Sequence, residues 1–126
     1  MKNSIVNNGS FKTISTDDFL DKMEEGVTII DVRRQDEWDH FGVIEGSHKI
    51  TFFDQWGQHN IPGFMEEFSK VVTSKDQPFI LVCAHANRTK SIGEFLGAKM
   101  GYQHVYELDG GINYGWIDKG YSTVRE

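Results

Sequence analysis

Residues 78–83, "PFILVC", leave a chain of this kind little freedom. The run is apolar and does not alternate with polar residues, so as a strand it has no face to offer water and must be covered on both sides. "VTIIDV" (27–32) makes the same demand, and "HVYEL" (104–108) supplies a further strand. Helical patterns lie between them. "STDDFLDKMEEG" predicts a helix capped by Ser15, with Asp17 and Asp18 near its positive end and Gly26 as its stop. A polar stretch around Trp38 predicts one or two helical turns ending at Gly42, followed by a short strand in "HKITFF" and a loop in "QWGQHNIPG". "FMEEFSKVV" predicts a helix with Phe64, Phe68 and Val71 on one face and Glu66 placed to meet Lys70. Ile92, Phe95, Leu96 and Met100 mark another from about Thr89 to Met100, where Gly93 and Gly97 permit close approach to a sheet. "DGG" then turns the chain into a last short helix around Trp116. Strands alternating with helices define an α/β fold: one domain over residues 10–126, its central, mostly parallel sheet flanked by helices on both faces. Residues 1–9 read as a polar tail.

Composition narrows the function. With 126 residues, 38% hydrophobic and 25% charged, the chain suits one compact domain with a real core. A formal net charge of −6 does not advertise a nucleic-acid surface, so no nucleic-acid partner is expected. No apolar run is long enough to cross a bilayer, and residues 1–10 lack the apolar core of a signal peptide. The single cysteine excludes an internal disulfide framework and fits a reducing compartment. The expectation is a cytoplasmic protein with no membrane partner.

That cysteine, Cys83, ends the strongest strand, and its loop runs into a helix with Arg88 five positions on. In open α/β sheets ligands sit beyond the carboxyl ends of the strands. Backbone N–H groups at a helix start favour an anion, and with Arg88 they favour the reactive thiolate. A buried cysteine is otherwise a small hydrophobe. The helix and the arginine together weigh for a nucleophile.

"CAHANRT" resembles the active-site loop of rhodanese-like sulfurtransferases, in which a cysteine is followed by four residues, an arginine or other polar residue, then Ser or Thr. The resemblance extends over nearly the whole chain. "STDDFLDKMEEGVTIIDVR" is similar to the family's opening helix and first core strand. "DVRRQDEWDHFGVIEGSHKI" resembles its Asp-Val-Arg stretch, with Glu37, an aromatic, then a Gly-x-Ile-x-Gly turn. "HVYELDGGINYGW" resembles the closing strand, Gly-Gly turn and tryptophan. There are departures. Val43 replaces a frequent histidine after a segment one residue longer, residues 111–116 are also one residue longer, and Ala86 replaces a common glycine.

The resemblance implies a persulfide relay. Cys83 takes a sulfane sulfur from a donor such as thiosulfate and passes it to a thiol, to cyanide or to a sulfur-carrier protein, with no metal or organic cofactor. The backbone of Ala84, His85, Ala86, Asn87 and Thr89 would cradle the anionic sulfur, Arg88 would hold the donor, and the Thr89 hydroxyl would donate to Cys83. Asp31 and Arg33 are candidates to support the cradle from a neighbouring strand end, although Arg33 is expected to pair with Glu37 or Asp36. An ordinary φ is expected at Ala86. His85 either tunes the entrance or is solvated.

Two other readings stay open. A phosphatase or arsenate reductase of similar architecture uses a Cys-x5-Arg loop, one residue longer than this one. An idle interaction module of the same fold needs neither Cys83 nor Arg88. His40, His48, His59 and His104 show no metal-ligand spacing with Cys83 and read as surface residues. Phe52 and Phe53 read as core, and Trp56 as a residue at the rim of the active-site mouth.

Overall fold

The computed structural model describes residues 11–125. The expected tail at residues 1–9 lies outside them. Its elements are β1 (Phe11–Ile14), α1 (Thr16–Glu24), β2 (Thr28–Asp31), α2 (Gln35–Phe41), β3 (His48–Lys49), α3 (Ile61–Val71), β4 (Phe79–Val82), α4 (Arg88–Glu94), β5 (Val105–Leu108) and α5 (Gly111–Gly115). A π-helical stretch, Phe95–Lys99, continues α4, and a 3-10 turn, Ile117–Lys119, follows α5.

The five strands form one sheet in the order β1-β5-β4-β2-β3, and every pair is parallel. β4 is central, and all four of its residues are buried. Its alternation sends Phe79, Leu81 and the following Cys83 to one face and Ile80 and Val82 to the other. The first face packs against Phe64 and Phe68 of α3 and Ile92 of α4. The second packs against Phe19 of α1, Ile112 of α5 and Trp116. Both demands of the apolar run are thereby met.

Local signals place the helix ends. Ser15 accepts a hydrogen bond from the Asp18 N–H at 3.1 Å, and Gly26 takes a φ of 84° just past the α1 C-cap. Gly93 has a packing reason: a Cβ there would fall 2.2 Å from the Phe11 ring.

The structure adds and corrects. β1 carries little hydrophobic pattern, because only Ile14 of its four residues is buried. Pairing with β5 makes it a strand. The expected strand in "HKITFF" shrinks to His48–Lys49, while Ile50 and Phe52 go on donating to the carbonyls of Asp31 and Val32. α3 begins within the expected loop, with Pro62 in its first turn and Asn60 as its cap. Lys70 pairs with Glu67, not Glu66, at 3.1 Å.

Arg33 is also corrected. It pairs with neither Glu37 nor Asp36 but with Asp31, at 2.7 Å, and it is wholly buried. Two residues apart on extended backbone, the side chains share a side. Arg33 Nε and a terminal nitrogen grip the carboxylate, and that nitrogen also donates to the Gly42 carbonyl at 2.8 Å. The exposed acid Asp36 goes to Arg34. Removing one member of a buried pair strands the other charge. Arg33→Met is therefore expected to cost about 3–5 kcal/mol in urea unfolding.

Candidate active site

Cys83 is buried where β4 ends, and the sheet delivers it to a crossing of two loops. Its carbonyl accepts from the Ile112 N–H at 2.8 Å, and the Ala84 carbonyl accepts from the Asn113 N–H at 3.0 Å. The start of α5 is thus laid on the backbone of residues 83–84. This explains the second glycine of "DGG", because a Cβ on Gly111 would lie 2.4 Å from the Ala84 carbonyl oxygen.

The loop leaves the N–H groups of residues 84–87 without a protein acceptor among the described residues. Free donors beside a nucleophile are what an anionic group needs. The expectation for Ala86 fails: it is buried, with a φ of 66°, the one non-glycine residue at positive φ among those described. The α-helix that starts at Arg88 follows so closely on the strand end that the intervening backbone must reverse locally, and alanine adopts this conformation at a cost of about 1 kcal/mol.

Arg88 faces Glu37. One terminal nitrogen donates to Glu37 Oε1 at 2.8 Å and the other to Oε2 at 2.7 Å, a fork-to-fork pair. Glu37 Oε1 also accepts from the Arg34 N–H at 3.1 Å, which fixes the start of α2. Burial pushes the Glu37 carboxyl up, but the hydrogen bonds from Arg88 and Arg34 and both positive charges carry it below its ordinary value. The hydrogen bond to Glu37 outweighs burial and raises Arg88, helped by the negative charges of Glu37, Cys83 and Asp31.

Thr89 lies under the sulfur, but its hydroxyl is committed elsewhere. It donates to Glu107 Oε1 at 2.5 Å and accepts from the Cys83 thiol at 3.7 Å. The direction expected for the Cys83–Thr89 contact is therefore reversed in this state. His85 is exposed at the rim, 3.2 Å from the Asn113 amide nitrogen and against the Tyr114 ring at 4.6 Å between centroids. Asn87 is exposed. On the other side of Arg88 a shallow cleft is lined by Arg34, Phe53, Asp54, Gln55 and Gly57. Trp56, between the last two of these, is 75% exposed, whereas Phe52 is core. The four outlying histidines are exposed, and no cluster of metal-ligating side chains occurs among the described residues.

The structure therefore brings Cys83, residues 84–89 and Arg88 to one sheet end. Asp31 and Arg33 stand behind them as a buried pair, and the negative charge of Asp31 reaches Arg88. Sequence reasoning missed two partners. Glu37 carried no sign of its contact 51 positions away. Glu107 did carry a signal, as the one charge in an otherwise apolar strand.

Known proteins resemble this chain in sequence and in fold. The family model of the Rhodanese-like domain matches residues 15–118. The thiosulfate sulfurtransferase GlpE of Pseudomonas entomophila is 27% identical over 102 residues, covering 81% of this chain and 82% of its own. A crystal structure of a rhodanese-related protein from Thermoplasma volcanium superposes with a TM-score of 0.69 at 28% identity, covering 91% of this chain and 99% of its own. The polysulfide-sulfur transferase of Wolinella succinogenes, at 20% identity and a TM-score of 0.67 over 95% of this chain and 82% of its own, shares the fold.

Two expectations test the site. Ala86→Gly relieves the positive φ while adding unfolded-state entropy of about 0.4–1 kcal/mol. In urea unfolding it should leave stability unchanged or raise it by at most about 0.6 kcal/mol. Glu37→Gln should cost about 1–3 kcal/mol at neutral pH. Because the folded pKa of Glu37 is depressed, its contribution is full above the unfolded value of about 4.3 and is lost as pH falls through the folded one. The gap between parent and variant melting curves should close on acidification in that window.

Proposed function

Because the chain belongs to the rhodanese-like domain family, we propose that it is a sulfurtransferase that carries a sulfane sulfur on Cys83. The observation that carries this reading is the meeting of the only thiol with a loop of free N–H groups and a fixed arginine. In the first step the Cys83 thiolate attacks the outer sulfur of a donor such as thiosulfate. A new S–S bond forms at Sγ, the donor's own S–S bond breaks, and sulfite leaves with that electron pair. In the second step an acceptor thiolate or cyanide attacks the outer sulfur, and the Cys83 thiolate is released.

The residues have separate tasks in this scheme. The amides of Ala84, His85, Ala86 and Asn87 receive the negative charge of the outer sulfur, and preorganised donors stabilise it without reorganising. Arg88, braced by Glu37, supplies a positive charge for the anionic donor. His85 and Tyr114, in tilted ring contact at the rim, meet the acceptor, a small thiol or a sulfur-carrier protein. No helix among the described residues is long and apolar enough to cross a membrane. A single thiol that must stay reduced fits the cytoplasm.

Intact mass spectrometry after brief exposure to thiosulfate is expected to show one added sulfur, and tryptic mapping should place it on Cys83. Cys83→Ser is nearly isosteric and should keep the melting temperature while losing both the added sulfur and turnover. A parent protein that takes up no sulfur from thiosulfate or polysulfide would leave the interaction-module reading in its place.

A further inference from the structure

The cleft beside Arg88 is lined by two guanidinium side chains, Arg34 and Arg88, while the acids that hold them, Asp36 and Glu37, do not line it. Asp54 is the acid among its lining residues, and it serves its own loop. Asp54 Oδ1 accepts from the N–H groups of Trp56 and Gln58, both at 2.9 Å. In a chain with a net charge of −6, this small surface therefore offers positive charge. Its apolar wall is Phe53, half-buried, with its ring edge-on to Phe52 of the core at 4.9 Å between centroids.

The two cations are committed to different degrees. Arg88 has both terminal nitrogens on Glu37. Arg34 donates through Nε and Nη2 to Asp36 at 3.0 and 3.2 Å, an exposed pair of the kind that contributes little in water. Its Nη1 lies 3.9 Å from Glu37 Oε1, beyond hydrogen-bond reach, and has no other acceptor among the described residues. The Asp36 hydrogen bond raises Arg34 above its ordinary value, while burial and the charge of Arg88 oppose the rise. The cleft measures about 370 Å³, within the roughly 300–1,000 Å³ of small-molecule sites. Thiosulfate, held at Arg88 beside Cys83, would leave most of that volume to water. An apolar stem on Phe53, ending in an anion that meets the uncommitted nitrogen of Arg34, uses the whole lining.

We infer that the cleft takes the organic part of a sulfur donor, a persulfide whose carbon chain ends in a carboxylate, and that Arg34 is the residue that selects it. The terminal sulfur reaches Cys83, the chain passes Arg88 and lies on Phe53, and the carboxylate meets Arg34. In the transfer the Cys83 thiolate attacks the terminal sulfur, which keeps its hydrogen. An S–S bond forms at Sγ and the donor's own S–S bond breaks. The carbon-bound sulfur leaves as a thiolate with that electron pair, beside the Arg88 cation. No further oxidant or reductant is needed.

The inference rests on the sulfur-transfer reading and narrows its donor, and the two fail separately. Persulfides of mercaptohexanoate and of mercaptohexanol, which differ only in the terminal group, are offered to the full chain below saturation. Intact mass then follows the added sulfur on Cys83 with time. The parent should load faster from the carboxylate donor. Arg34→Gln keeps the backbone N–H that holds Glu37 and should lower the carboxylate-to-alcohol rate ratio about tenfold, as loss of a charge-assisted hydrogen bond implies. Arg34→Lys keeps the charge and should restore part of the ratio, and Asp36→Asn, which releases Arg34, should raise it above the parent's. A ratio near one in the parent, or one that Arg34→Gln leaves unchanged, overturns the inference. Should no donor load Cys83, the sulfur-transfer reading fails and protection decides the site. The unreactive methyl thioether of mercaptohexanoate should slow alkylation of Cys83 by iodoacetamide in the parent and lose that effect in Arg34→Gln. Protection that depends on Arg34 supports the carboxylate site, and its absence overturns it.

Discussion

β4 is hydrogen-bonded on both edges and covered on both faces, and the remaining elements are placed by that burial. Four consecutive buried residues require parallel neighbours and a layer of helices on each side. Parallel neighbours in turn require crossovers, so each strand but the last is followed by a return over one face. The one place where β4 can end is therefore at the sheet rim, among the starts of returning segments. Cys83 stands there because the strand ends there.

Charge at this rim is organised in pairs. Asp31 with Arg33, Glu37 with Arg88 and Glu107 with Lys90 bring three acidic and three basic side chains to this end of the sheet. They differ in exposure and so in role. The first pair is sealed and ties the end of β2 to the Gly42 carbonyl at the end of α2. The second is part-buried and holds a cation beside the thiol at a fixed position. The third joins a buried carboxylate to an exposed lysine. Because burial penalises an unpaired charge, the positions of these groups are set almost as firmly as those of the apolar core.

The cradle itself shows where local rules give way. Gly110 and Gly111 sit at positive φ, as their residue type permits, and Gly111 also makes room for the Ala84 carbonyl. Ala86 takes the same region without that freedom. A single strained residue persists only where its neighbours over-determine it, and here a strand end, a docked helix start and a buried methyl group do so together.

The sequence by itself determined the α/β class, the strands containing Ile29–Asp31, Phe79–Val82 and Val105–Leu108, the Ser15 cap, and the cysteine and arginine at one strand end. Each rests on a local pattern: an apolar run, a helical period, a capping side chain or a short loop. The tertiary structure alone decided that Phe11–Ile14 is a strand, since edge pairing needs a partner some ninety positions along the chain. It alone decided that Arg33 turns to Asp31, because Asp31, Asp36 and Glu37 all lay within reach along the chain and only burial chose among them, and that Arg88 takes Glu37, an acid 51 positions away. Glu107 was visible as a lone charge in an apolar strand, but its use depends on β1, β5 and α4 meeting around it. The backbone at Ala86 belongs with these, since φ at that position is imposed by the elements on either side and not by alanine's own preference.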